Sequence, residues 1–311
     1  MTAKDWFMDF ARGTALGVGM LPGASAGTIG IIVNVYDKLI GGLSGLRKQF
    51  WKSVVTLIPI MLGWVIATVV LVYAEKKLWD YIPFIIVSLC AGITIGGLPV
   101  VTDGIGKPKV GGKEISLIAV GIIVGAGIGV LSVLAYIFNW FSFEAAYLNP
   151  NQNWWIYIVT VLVGAVAAAA CIIPGVSGAM ILFIFGLYNP VLEIYIGENS
   201  IIHNHDRLGS GLLLTLCLVV GVVVGLVSIA GLLKKALDQH KRSTYSLIFG
   251  FILGSIVSMF VNNQIWPTYS NPNNNQPWQF IVGGVVLLIA AAIMFLLVKK
   301  RKKDTQEYSE K

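Results

Sequence analysis

Two short stretches carry the residues best placed to do chemistry, Leu21-Pro22-Gly23-Ala24-Ser25 and Ile173-Pro174-Gly175-Val176-Ser177, each set inside an apolar segment. Proline lacks a backbone donor and biases the preceding residue away from helix, and glycine tolerates nearly any backbone angle. Each Pro-Gly therefore breaks a helix and starts a new one. The new N-termini leave the amides of Ala24, Ser25 and Ala26, and of Val176, Ser177 and Gly178, without intrahelical partners. Such amides, at the positive end of a helix dipole and beside two serine hydroxyls, suit a small anion. Arg12 lies ten residues before the first proline, about 15 Å along a helix. It reads either as a phosphate partner or as a side chain that snorkels to headgroups at the cytoplasmic end.

These residues need elements that bring them together, and the chain supplies them in duplicate. Laying Pro22 on Pro174 also brings Ser25 onto Ser177, Tyr36 onto Tyr188 and Asp37 onto Asn189, which marks an internal repeat. Tyr36 and Tyr188 fall well past the breaks and read as interfacial anchors. Asp37 and Asn189 could gate a path or bind a coupling cation, but a solvated hairpin exit is the simpler reading. Glu193 is too shallow by sequence to be intramembrane.

With 311 residues, 56% hydrophobic and 12% charged, and a mean hydropathy of +0.80, the chain reads as an all-α polytopic membrane protein. Ordinary spans are expected at about Val54–Tyr73, Ile82–Val100, Ile115–Phe138, Gly211–Leu233, Tyr245–Val261 and Phe280–Val298. The two Pro-Gly segments, about Trp6–Ile40 and Trp154–Leu192, are too long for one crossing each. Lysine and arginine in loops orient the spans. Arg47, Lys48 and Lys52, then Lys107, Lys109 and Lys113, then Lys234, Lys235, Lys241 and Arg242, and the run Lys299–Lys303 belong inside. The turn Glu75–Asp80, the loops 139–153 and 262–277, and the loop with Glu193, Glu198, Asp206 and Arg207 belong outside.

That alternation makes both Pro-Gly segments re-entrant hairpins entering from opposite faces. Each half is then one hairpin plus three transmembrane helices, with the second half inverted, a plan shared by many secondary transporters. The expected units are a first inverted repeat over 1–140, a second over 141–298 and a basic cytoplasmic tail over 299–311, with both termini cytoplasmic. The first ten residues show no signal-peptide pattern and are expected to be retained. Gly92 and Gly96 in one half match Gly250 and Gly254 in the other, a spacing that lets helices approach closely. Trp51, Trp79, Trp154, Trp155, Trp266 and Trp278 read as interfacial anchors.

Other chemistry is thinly represented. Cys90, Cys171 and Cys217 lie in apolar segments without metal-ligand spacing, so they read as buried thiols. His203, His205 and Asp206 share a hydrophilic loop and read as loop residues, since two close histidines are a weak zinc signal. No metal, cofactor or nucleic-acid partner is expected. No buried carboxylate stands out as a proton or sodium site, so the coupling ion, if there is one, is not legible; neither is homo-oligomerisation.

At the motifs Arg12-Gly13, Leu21-Pro22-Gly23-Ala24-Ser25-Ala26-Gly27-Thr28 with Tyr36, and Ile173-Pro174-Gly175-Val176-Ser177-Gly178 with Gly186-Leu187-Tyr188, the chain resembles the bacterial polyprenyl-phosphate transporter (PopT) family over nearly its whole length. The family pattern usually has glycine where this chain has Ala26 and Asn34. The resemblance implies return of undecaprenyl phosphate, the carrier lipid of cell-wall synthesis, to the inner leaflet of the bacterial cytoplasmic membrane. It also implies substrate-binding roles for Arg12, Pro22, Gly23, Ala24, Ser25, Ala26, Gly27 and Thr28, and for Pro174, Gly175, Val176, Ser177 and Gly178. The residues alone reach only an anion-handling inverted-repeat transporter. An ion-coupled carrier of a soluble anion is the alternative. A membrane lipid phosphatase is disfavoured, because the apolar spans hold no histidine and no evident carboxylate pair.

Overall fold

The computed structural model describes residues 3–21, 29–30, 33–35, 38–39, 42, 49–79, 81–106, 111–138, 143–170, 178–185, 187–196, 200, 205–225, 230–261, 263–270 and 277–309. Among these the regular elements are all helical: α1 (Ala3–Gly17), α2 (Phe50–Trp79), α3 (Pro83–Ile105), α4 (Gly112–Ile137), α5 (Phe143–Leu148), α6 (Trp155–Ala170), α7 (Gly178–Ile184), α8 (Tyr188–Tyr195), α9 (Leu208–Val224), α10 (Ala230–Phe260), α11 (Trp266–Ser270) and α12 (Pro277–Ser309). Five of them are long and apolar enough to cross a membrane: α2, α3, α4, the Lys235–Phe260 part of α10 and the Pro277–Lys300 part of α12. The expected span near Gly211–Leu233 corresponds to the shorter α9, with residues 226–229 outside the described set. The chain is a multi-pass membrane protein.

Local chemistry sets the helix ends. Pro83 opens α3, where its missing N–H has no intrahelical partner to lose. At the other end Gly106, at φ +73°, takes the left-handed conformation that glycine adopts at little cost. The Gly111 amide donates to Glu114 Oε2 at 2.9 Å and starts α4. Within α10, His240 leaves helical geometry (φ −137°, ψ 45°) and divides a first arm from the spanning part. In the returning part of the first Pro-Gly segment, Asn34 has φ +57°. That is the position where the resembled family usually has glycine, and asparagine is among the few other residues that tolerate left-handed backbone.

The outward faces are apolar: Val65, Val69 and Val70 of α2, Ile123 of α4 and Ile281 and Leu288 of α12 are all at least half exposed. In water such a surface would be untenable, whereas lipid accepts it. Association of the helices then depends on close packing. A Cβ at Gly13 would collide with the Ile60 carbonyl, and one at Gly63 with that of Phe10, which seats α1 on α2. Gly164 against Leu218 and Gly221 against Val161 do the same for α6 on α9. Gly92 and Gly96 of α3 meet the carbonyls of Leu287 and Ala291 on α12, while Gly250 and Gly254 of α10 meet those of Ile118 and Ile122 on α4. The same sequence offset carries Gly63 to Gly221, Gly92 to Gly250 and Gly96 to Gly254. The second helix of each half therefore packs against the last helix of the other, and α3 and α10 also touch.

The main core gathers residues such as Val87 and Ala91 of α3, Met180 and Phe183 of α7, Leu214 of α9 and Ile252 of α10. A smaller cluster, Leu16, Val35 and Ile60, joins α1, the returning segment and α2. Trp79 and Trp155 lie partly buried against the main core, and Trp79 meets the Phe183 ring edge-on at 5.6 Å, so these two are packing residues as well as candidates for the interface. Trp51 and Trp154 are well exposed, as anchors would be.

Replacing Gly250 by Val should push α10 off α4 and lower stability by about 1–3 kcal/mol, the usual range for overpacking. Gly284→Val, at a position with open space around it, should leave the unfolding temperature in detergent nearly unchanged. Equal unfolding temperatures for the two variants would mean that the glycine contacts do not hold α10 and α4 together.

Candidate functional site

The described helices end and begin on either side of the two Pro-Gly motifs. α1 gives way to a tight turn at Val18–Met20, and Leu21 then extends (φ −69°, ψ 142°), the conformation that a following proline imposes. In the second copy α6 ends at Ala170, and α7 begins at Gly178 and packs back on α6. Gly178 is the first described residue of this helix. Pro22, Gly23, Ala24, Ser25, Ala26, Gly27, Thr28, Pro174, Gly175, Val176 and Ser177 lie outside the described residues, as do Tyr36, Asp37, Cys171 and His203.

Arg12 is described, and it belongs to a charged cluster. Asp9, one turn earlier on α1, is buried, with its side chain 2% exposed. Its Oδ1 and Oδ2 accept hydrogen bonds from Lys38 Nζ at 2.7 and 2.9 Å, and Oδ1 also accepts one from Arg12 Nη1 at 3.4 Å. Lys38 lies ten residues past Thr28 in sequence, so this carboxylate ties the start of the first Pro-Gly segment to its end. The ammonium takes both carboxylate oxygens at short range, while Arg12 contributes one longer bond. The Arg12 side chain is 29% exposed and that of Lys38 44% exposed. Two cations against one carboxylate leave an excess positive charge in this cluster, with donors to spare on the guanidinium.

A second polar contact joins the two halves. Tyr188 is buried, and its hydroxyl donates to Glu75 Oε2 at 2.6 Å. Interfacial anchoring, the role expected of Tyr188, does not hold: the ring lies in the main core beside Phe183, at 6.1 Å between centroids. Glu75 is likewise no part of a solvated turn. It belongs to α2 and is 6% exposed, so a buried carboxylate exists that local sequence did not disclose. One residue further along α2, Lys76 Nζ pairs with Glu193 Oε2 of α8 at 3.1 Å. Asn189 is half-buried.

Among the described residues no group of three or more His, Cys, Asp or Glu could hold a metal ion. Cys90 is buried and Cys217 half-buried, both as free thiols.

Asp9 and Lys38 should be coupled. In a double-mutant cycle with Asp9→Asn and Lys38→Gln, thermal unfolding should return a coupling free energy of about 1 kcal/mol, the upper part of the range for partly exposed pairs. Additive effects would mean that the ammonium contributes nothing through this carboxylate.

Comparison with known proteins agrees with this architecture. A family model described as VCA0040-like, undecaprenyl phosphate translocase-like, matches residues 17–277, which include both Pro-Gly motifs and the Tyr188 region. A protein of Staphylococcus aureus named polyprenyl-phosphate transporter is 27% identical over 257 residues, covering 82% of this chain and 86% of its own. One of Vibrio cholerae with the same name is 26% identical over 279 residues, covering 85% of this chain and 78% of its own. No solved structure matches. With its model matched over most of the chain, the undecaprenyl phosphate translocase-like family is the one to which this protein belongs.

Proposed function

We propose that the protein moves polyprenyl phosphate, with undecaprenyl phosphate as the physiological form, across the bacterial cytoplasmic membrane, returning the carrier lipid to the inner leaflet. The observation that carries this reading is that the family match spans both Pro-Gly motifs and that two relatives covering most of the chain are named polyprenyl-phosphate transporters. The chemistry of the chain is consistent with that substrate. A phosphate monoester is compact and anionic; it suits the free amides and hydroxyls of Ser25 and Ser177 at the two helix starts, with Arg12 and Lys38 beside the first. A polyprenyl tail stays in hydrocarbon along the exposed apolar helix faces.

The architecture proposed with it is an inverted repeat. Reciprocal packing supports it: α1 on α2 answers α6 on α9, and α3 on α12 answers α10 on α4. Under this plan 1–140 and 141–298 are the two repeats, 299–311 is a cytoplasmic tail, and Arg12, Asp9 and Lys38 lie towards the cytoplasm. Each Pro-Gly segment is a re-entrant hairpin, and the headgroup passes from one hairpin tip to the other while the tail reorients in the bilayer. Transport needs no covalent chemistry on the phosphate, so the protein is a carrier and not a phosphatase.

Purified protein in liposomes should bind short-chain polyprenyl phosphate, with polyprenol and inorganic phosphate competing poorly. The Ser25→Ala/Ser177→Ala double variant and Arg12→Ala should each weaken binding about tenfold or more, the loss expected when a hydrogen bond to a charged group, about 1.5–3 kcal/mol, is removed. Unchanged binding and translocation in these variants would refute a site at the hairpin starts, and strong competition by inorganic phosphate alone would point to a soluble anion.

A further inference from the structure

Glu75 is the polar group that the anion-handling machinery leaves unexplained. It lies in α2, a membrane span, and is 6% exposed. One oxygen accepts from Tyr188 at 2.6 Å, while Oε1 is buried with no hydrogen-bond partner among the described residues. An ionisable side chain buried in a span is costly and is seldom retained without a role. The separation matters too, since 2.6 Å lies in the range of hydroxyl-to-carboxylate bonds, where the charge strengthens the contact roughly twofold over a neutral one. This bond joins α2 of the first half to α8, the helix that follows the second Pro-Gly motif.

We infer that Glu75 is a proton-binding site, and that proton uptake at Oε1 releases α8 from α2 while proton loss latches it again. The inference rests on the lipid-carrier reading for its purpose, since the released element is the returning part of the second hairpin. The balance is simple. In the latched state Tyr188 keeps its proton and donates to an anionic Oε2. A proton from solution adds to a lone pair of Oε1, and the charge-assisted bond from Tyr188 weakens to a contact between two neutral groups, which no longer holds α8 on α2. Burial of the freed carboxylic acid costs less than burial of the anion, so the latch gives way without exposing charge to lipid.

The surroundings favour a proton over a metal ion. The pair offers one carboxylate and one hydroxyl, whereas hard cations gather about six oxygen ligands. The other groups facing Glu75 are few. Cys90 of α3 is within electrostatic reach, and Lys76 of α2 is engaged by Glu193 of α8. The cluster of Asp9, Arg12 and Lys38 belongs to α1 and the first returning segment, whose contacts with α2 run along Ile60, Gly63 and Ala67, well before Glu75. The Lys76 and Glu193 side chains are 23% and 21% exposed.

Two measurements test the latch, one without substrate. Hydrogen exchange of the Tyr188–Tyr195 helix, followed by mass spectrometry in lipid nanodiscs and corrected for intrinsic rates, should rise about tenfold in the wild type as pH is lowered. In Glu75→Gln, which mimics the protonated acid, and in Tyr188→Phe, which keeps the ring, exchange should be high and independent of pH. In liposomes loaded with short-chain polyprenyl phosphate, an imposed proton gradient should change wild-type translocation several-fold and leave Glu75→Gln unaffected, with binding retained. A pH response of exchange that persists in Glu75→Gln, or is absent from the wild type, overturns the latch. Failure of the wild type to bind or move the lipid instead refutes the carrier reading, while the exchange result still decides the latch.

Discussion

Everything in this protein answers to one rule of the bilayer: a backbone amide or carbonyl facing hydrocarbon without a partner costs several kcal/mol. A helix interrupted by Pro-Gly has several such groups at each break, so it survives only where other protein surrounds it. α7, which starts immediately after the second break, is accordingly packed by α6, α10 and α4, with Met180 and Phe183 among the most deeply buried side chains. The segment after the first break is held by Leu16 and Ile60 and by the bond from Lys38 to Asp9.

The way the halves interlock limits how the molecule can move. α3 and α10 each lean on the last helix of the opposite half through glycines that admit a neighbouring backbone. Four helices, α3, α4, α10 and α12, are thereby interlocked between the earlier and later parts of the chain. The pairs α1 with α2 and α6 with α9 have their own glycine seams, and they are the parts free to shift against that unit. The polar contacts at Tyr188 and at Glu193 tie one such pair, through α8, to the first span of the other.

The all-helical, multi-pass character was legible from residue order alone, because it depends on a signal that repeats along the chain, the long apolar runs. Gly92, Gly96, Gly250 and Gly254 showed in their spacing that helices would meet there, though not which helices. Glu75 and Tyr188 were misread for a physical reason. Glu75 is followed by Lys76 and Lys77 and precedes Trp79, which is how a solvated helix end looks, and its partner lies 113 positions away. Asp9 and Lys38, 29 positions apart, present the same difficulty on a smaller scale. Pairings across the fold depend on which faces meet, and no local pattern encodes that.

The crossed packing also has a temporal side. The glycine face of α3 is covered by α12, which lies nearly two hundred positions later in the chain, so during synthesis Gly92 and Gly96 enter the membrane long before their partner exists. α1 and α2 can settle against each other early, and α6 can join α9 as soon as both are inserted. α4 can meet α10 only once α10 is made, and α3 can meet α12 only after that. Such long-range contacts are slow to form because loop closure precedes their reward. Until α12 docks, the glycine face of α3 is open to lipid.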